Sequence, residues 1–342
     1  MVVACDTFLT TVYTVVDDWY RAVAAPTKPV RRGHQPEMSD SEVLTLQVCQ
    51  QWLGWSERLF LAYVARHWRD YFPRLLDQSS YNRRTRDLAG CAVQLIGHLA
   101  RLLGETDDPY QVIDGVPVPL ARIARGRRHR LFAEDEAAVG RGGVDRRWYF
   151  GVKLVLAVQA DGVITGFVVG PASTGERWLV ESLLCWRHDP QGIPWTAAQL
   201  PPSHRRGGGY VGPTGPLWPV EGAGQPRRGT AEGDLYLTDA GMTGSVWGQH
   251  WLTDYRAEIV TVAETMTADD VLPRREHAVR RQVIETVNQH LTADFHLPFP
   301  QARSRWGLLS RIAAKLAAFN LGMWLNRQFG RPDFALASLF PR

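Results

Sequence analysis

The chain has 342 residues, 45% of them apolar and 22% charged, with a net charge of +4 and a pI near 9.0. This is a core-forming globular composition, long enough for two domains or one domain with additions. No apolar run is long enough to span a bilayer, and Met1 to Tyr20 carries Asp6, Asp17 and Asp18 without an early basic cluster, so the reading is a cytoplasmic chain without a secretory leader.

Lys28, Lys153 and Lys315 are the only lysines, so nearly all the positive charge is arginine. That suits bidentate phosphate contacts and equally fits a genomic composition bias. Cys5, Cys49, Cys91 and Cys185 form no Cys-x-x-Cys pair, which points to buried thiols rather than zinc or disulfides.

Residues 1–104 read as helical throughout. Phe8, Leu9, Val12, Val15, Val16, Trp19 and Tyr20 recur at helical spacing. Ser39 and Glu42 make a capping box ahead of a second helix. A third runs from Glu57 to Tyr71, and Ser79 or Ser80 starts a fourth, Tyr81 to Leu103. Arg83, Arg84 and Arg86 oppose the helix dipole there, suggesting an anionic partner or pairing with Asp77 or Asp87. The region is a DNA-binding helical module or a dimerisation bundle.

The pattern then changes. Val112-Ile113-Asp114-Gly115-Val116-Pro117-Val118 reads as a buried strand carrying one carboxylate. A buried charge needs a partner, and a metal ion is the obvious candidate. A dense basic run follows, with Arg125, Arg127, Arg128 and Arg130 as candidate phosphate contacts; a solvated loop is the alternative. Trp148 to Gln159 alternates with period two, Asp161-Gly162 reads as a hairpin turn, and Val163 to Val169 returns. A helix is predicted from Gly175 to Arg187, then a Gly/Pro-rich insertion at about 190–233.

Asp234 to Gly241 reads as a strand ending in Asp239. A helix Ser245–Asp254, a strand Glu258–Ala263 and a helix Arg274–Leu291 follow, the last with a buried stripe of Val279, Val283, Ile284, Val287 and Leu291. Glu285 sits beside that stripe, four residues after Arg281, so it is either a site carboxylate or one half of an i,i+4 ion pair. A final helix, Ser304 to Asn326, carries Arg311 and Lys315 on one side.

Two Asp near strand ends and one Glu on a later helix can converge at one edge of a mixed sheet. Hard oxygen ligands with open positions suit Mg²⁺ or Mn²⁺. Two such ions about 4 Å apart can drive phosphodiester cleavage.

The motifs resemble those of the DDE transposases of bacterial insertion sequences. They are Val112-Ile113-Asp114-Gly115-Val116-Pro117-Val118-Pro119, Tyr149-Phe150-Gly151-Val152-Lys153-Leu154, Leu237-Thr238-Asp239-Ala240-Gly241 and Arg281-Gln282-Val283-Ile284-Glu285-Thr286. Trp306-Gly307 to Asn320-Leu321, Met38 to Leu44 and Ser80-Tyr81-Asn82-Arg83 extend the likeness over nearly the whole chain.

The resemblance implies an α/β fold: an RNase H-like mixed sheet flanked by helices over 105–342, preceded by an all-α domain over 1–104. It implies two Mg²⁺ (or Mn²⁺) ions held by Asp114, Asp239 and Glu285. By the resemblance Arg281 would contact DNA or orient Glu285, and Lys153 would be a phosphate contact; Arg311 and Lys315 on the final helix are further DNA-binding candidates. The partners implied are double-stranded DNA, both terminal inverted repeats and target, and a second copy of the chain, with a nucleoid-associated location. The alternatives are an RNase H-like nuclease that does not join ends, and an inactive or domesticated DNA-binding copy. The chain departs from the pattern at Ala278 and Thr292, where relatives carry Tyr and Lys, and at Val152 and Val155, where Tyr and His are common.

Overall fold

A computed structural model describes residues 3–27, 36–104, 108, 110–126, 131–133, 135–143, 147–189, 191–199, 234–242, 244–261 and 274–339. The main elements in order are α1 (Cys5–Trp19), α2 (Asp40–Cys49), α3 (Glu57–His67), α4 (Gln78–Asp87), α5 (Ala89–Leu103), β1 (Tyr110–Ala121), β2 (Ala138–Gly142), β3 (Arg147–Gln159) and β4 (Ile164–Pro171). Then come α6 (Glu176–His188), β5 (Asp234–Thr238), α7 (Ser245–Tyr255), β6 (Ala257–Thr261), α8 (Arg274–Ala293) and α9 (Arg305–Gln328). Among the described residues no helix is long and apolar enough to cross a membrane. The four cysteines are free thiols.

The chain divides into two units: Met1–Leu103 with His290–Arg342, and Gly104–Gln289. The first boundary falls where the sequence changes character. The C-terminal segment, read from sequence as part of the second domain, belongs with the N-terminal helices instead. The reason lies in α9 itself, which is buried on all sides from Gly307 to Asn326 except at a few positions. A helix apolar all round must sit inside other helices. Its few polar groups are bonded to them: Ser310 Oγ donates to the Thr85 carbonyl at 2.8 Å, and Asn320 Nδ2 to the Ile96 carbonyl at 3.4 Å.

Within this helical unit, Ser39 Oγ accepts from the Glu42 N–H at 3.1 Å while Glu42 Oε2 accepts from the Ser39 N–H at 2.6 Å. The predicted capping box starts α2 as read. The predicted helix Tyr81–Leu103 is two helices, broken at Leu88 (φ −95°, ψ 8°), and it starts earlier. Asp77, not Ser79 or Ser80, is the cap, accepting from both of their N–H groups. A carboxylate reaches two orphan donors and complements the dipole, so it outcompetes a hydroxyl. Arg84 is buried against Asp40 and the Met38 carbonyl.

The second unit is built on one mixed sheet in the order β2-β3-β1-β5-β6, with β4 also pairing β3. β1 and β3 are antiparallel, with Asp114 opposite Leu156. β2 and β4 pair successive stretches of β3, both antiparallel. β5 runs parallel to β1 and β6 parallel to β5. β2 was not legible as a strand, since Val139 is its single large apolar side chain. The predicted hairpin turn is present: Gly162 has φ 90°, a value that favours glycine, and the Val163 N–H bonds Asp161 Oδ1 at 3.2 Å.

β3 is buried on both faces from Tyr149 to Gln159 apart from Lys153, a continuous run rather than a one-sided alternation. One face packs on α6 and α7 through Ile113, Val155, Val168, Trp178, Leu183 and Trp251. Each such aliphatic or aromatic side chain stabilises the fold by about 1.5–3 kcal/mol.

Between α6 and α7 a carboxylate, Glu181, is 0% exposed. It accepts from Trp195 N and Tyr255 Oη at 2.7 Å, Trp251 Nε1 at 2.8 Å and His250 Nε2 at 2.9 Å. These bonds hold its carboxyl below the usual carboxylate range despite burial. Trp195 stacks on His250 at 3.4 Å, so residues at the start of the predicted insertion are tied to the sheet's helical layer. Most of that insertion, 200–233, lies outside the described residues.

Candidate functional site

Asp114 lies midway along β1, where a strand buried among Val112, Ile113 and Val116 carries it. Asp239 follows the last residue of β5. The β1–β5 register pairs Tyr110 with Leu235, Gln111 with Tyr236 and Val112 with Leu237. Continued two steps, it brings Asp114 level with Asp239 at the carboxyl end of β5. The Asp239 charge acts on the Asp114 carboxyl.

Gly115 and Gly241 pack closely beside carboxylates of the site. A Cβ on Gly115 would stand 3.1 Å from Glu176 Oε1, and one on Gly241 3.1 Å from Asp239 Oδ1. The Gly241 N–H bonds Asp239 Oδ1 at 3.0 Å and fixes that carboxylate. Glu176 and Arg177 open α6 and serve the two sides separately. Glu176 approaches Gly115, while Arg177 Nε donates to the Gly241 carbonyl at 3.1 Å. Lys153 Nζ lies 3.2 Å from Glu176 Oε1 and 3.3 Å from the Thr174 carbonyl, so the lysine is held by this turn.

Helix α8 supplies the remaining wall. Its buried positions are His277, Ile284, Val287 and Leu291. Val279, predicted in that stripe, is 62% exposed because it lies two residues, more than half a turn, from His277. Asn288 Nδ2 donates to Asp114 Oδ2 at 3.2 Å, and the Arg281 guanidinium acts on the same carboxylate. At 3.6 residues per turn, positions 281, 285 and 288 fall within a sector of about 60°. Glu285 therefore lies on the stripe whose neighbours address Asp114. Its own side chain is exposed. The alternative ion pair with Arg281 is not formed; the i,i+4 pair on this helix is Arg280–Glu276 at 2.8 Å.

Burial pushes the Asp114 carboxyl up to about 6, with Asp239 and Glu176 adding to the rise and the Gly115 N–H and Arg281 opposing it. Two buried polar atoms beside the Asp114 carboxyl, Arg281 Nε and Asn288 Oδ1, have no hydrogen-bond partner. Carboxylate oxygens under mutual repulsion, with a free amide oxygen alongside, fit a hard divalent cation. Among the described residues, no group of three or more His, Cys, Asp or Glu side chains is placed to hold a metal ion. The pre-set part is the Asp114–Asp239 pair, with Glu176 and Glu285 at its margins.

The other predicted site residues fall elsewhere. Arg127, Arg128 and Arg130 lie outside the described residues, and Arg125 is described only as backbone of a single turn, Ile123–Gly126. Arg311 and Lys315 belong to the helical unit. Arg311 pairs with Glu57 and donates to the Gln301 carbonyl at 3.1 Å. Lys315 is only 6% exposed and donates to Gln51 Oε1 and the Phe295 carbonyl within that unit. Glu176 and Asn288 escaped the sequence reading. Asn288 had a signal, three residues after Glu285 on the same face; Glu176 had only its place in a predicted first turn.

Comparison with protein-family models, with curated proteins and with solved structures finds no match.

Proposed function

We propose that the chain is a DDE-type transposase with an RNase H-like catalytic core, cutting DNA at element ends and joining them to target DNA. The observation that carries this reading is the alignment of Asp114 with Asp239 on neighbouring parallel strands, faced by the α8 stripe that includes Glu285. The sheet supports it too. An antiparallel β4-β3-β1 set continued by parallel β5 and β6 agrees with the mixed sheet that the resemblance implies.

In this reading Asp114, Asp239 and Glu285 hold two Mg²⁺ or Mn²⁺ ions. When bound, these supply charge neutralisation at the scissile phosphate and a lower pKa for the attacking hydroxyl. The chain's own residues do the positioning. Asn288 and Arg281 orient Asp114 and favour its ionised form, and the Gly241 N–H holds Asp239. Lys153, tethered by Glu176, is set to contact a phosphate of the entering strand. Two DNA ends must be brought together, so the active complex contains two copies of the chain, and the protein works at the nucleoid.

The test supplies a DNA duplex with a pre-cut 3′-hydroxyl terminal-repeat end and a target plasmid with Mg²⁺. Joined product supports a transposase. Cleavage of an uncut end without joining selects the nuclease alternative, and retardation of DNA without cleavage selects a binding-only copy.

A further inference from the structure

We propose that the helical unit carries a binding site for a small oxyanion, in a cavity whose cationic groups are Arg311 and Lys315 of α9. The inference stands independently of the transposase reading. The cavity measures about 270 Å³ and is lined by Gln47, Gln51, Glu57 and His296 as well as the two cations. That is room for several water-sized groups, since liquid water occupies about 30 Å³ per molecule.

The charges do not balance. Arg311 and Lys315 lie four residues apart on one helix face, and Glu57 is the carboxylate that lines the cavity with them. Glu57 is already shared, taking the Arg311 guanidinium and both contacts from Asn82 Nδ2, at 2.8 and 2.9 Å. Lys315 Nζ donates to Gln51 Oε1 at 3.0 Å and to the Phe295 carbonyl at 2.6 Å. An ammonium has three N–H groups, so one is left for an occupant. Across the cavity, the Gln47 amide nitrogen is spent on Ser310, while its buried Oε1 has no partner. The spare ammonium N–H and the unbalanced positive charge suit a small oxyanion.

The rim is built stiffly. His296, Phe299 and Gln301 all have left-handed backbones, at φ 52°, 55° and 56°. The His296 ring lies over Gly54, where a Cβ would come within 2.2 Å of it. Backbone held in such conformations marks places where the surroundings over-determine the chain.

Binding is coupled to a proton. Burial, reinforced by Arg311, brings the Lys315 amine down to about 7. Arg311 on its own helix and His296 on the loop before it act on this amine, and Glu57 on α3 lines the same cavity. An entering anion favours the ammonium, so affinity falls as the amine loses its proton.

The experiment is calorimetric titration of the full chain with sodium sulfate and, separately, sodium acetate, from about pH 6.5 to about pH 8.5 at constant ionic strength. Neither anion titrates in that range. The expected result is saturable binding of at least one, weakening about tenfold per pH unit above 7, and at least tenfold weaker in Lys315→Met. Sulfate alone points to phosphate- or sulfate-type ligands and acetate alone to carboxylates. Binding of neither, or affinity flat across the pH series, overturns the proposal; the pH series on the unaltered chain decides the matter even if Lys315→Met fails to fold.

Discussion

Asn288 Nδ2 donates to Asp114 Oδ2 at 3.2 Å, a bond between residues 174 positions apart. It fastens the helix that carries Glu285 to the strand that carries Asp114. Glu285 lies one turn before Asn288 on the same helix face. Replacing Asn288 by Leu keeps the volume and removes the bond. The expected outcome is loss of Mg²⁺-dependent cleavage by tenfold or more, as misplacement of a catalytic group by about 1 Å costs on the order of a hundredfold, with DNA binding by gel retardation unchanged.

Asp114 costs the fold stability. Its carboxyl is pushed up to about 6, above its unfolded value. The stability it contributes is therefore present at low pH, when it is protonated, and is lost as pH rises through about 6. Asp114→Asn should stabilise the chain by about 1–2 kcal/mol near pH 8, after discounting for partial solvent contact, and by nothing near pH 3. Thermal melts at the two pH values check this. Added Mg²⁺ should raise the melting temperature of the unaltered chain and leave that of Asp114→Asn nearly unmoved.

Lys315 has the opposite titration and the same cost. Its folded value, about 7, lies below the unfolded one. Below pH 7 the buried ammonium is penalised, and stability rises as pH climbs from about 7 towards 10. In a buffer free of oxyanions, urea melts should show a gain on the order of 3–4 kcal/mol across that interval, absent in Lys315→Met. A flat profile in the unaltered chain would remove the buried-amine account.

Glu181 accepts four hydrogen bonds in a fully buried position. Glu181→Ala leaves Trp195, His250, Trp251 and Tyr255 with unpaired polar groups. The expected loss is about 3–5 kcal/mol, read as a fall in the urea midpoint. Protease cutting near Trp195 should rise in parallel, since the segment loses its anchor.

What the sequence made legible follows from period and punctuation. β1, the β3–β4 hairpin, α6 and α7 were all readable because apolar spacing or a Gly turn announces them. The Ser39–Glu42 box was readable because capping is local chemistry. The break at Leu88 was not, because no Gly or Pro marks it, and β2 was not, because only Val139 and two glycines flank its exposed arginine. The placement of α9 with the N-terminal helices is a tertiary fact; its uniform apolarity was the available clue. Asp114 and Asp239 stood out as carboxylates in β settings, but their shared register needed the β1–β5 pairing. Glu176 entered only through folding, since nothing local separates it from other polar residues on helices, and Asn288 had only its place one turn after Glu285 on the same face as a clue.

The central claim is that Asp114, Asp239 and Glu285 act together on DNA. The most direct measurement is strand transfer of a pre-cut terminal-repeat end into a plasmid, with Mg²⁺, by the unaltered chain and by Asp114→Ala, Asp239→Ala and Glu285→Ala. Product from the unaltered chain and none from any variant, all three still retarding the DNA, is the predicted result. Full strand transfer by any one of the three variants would contradict it.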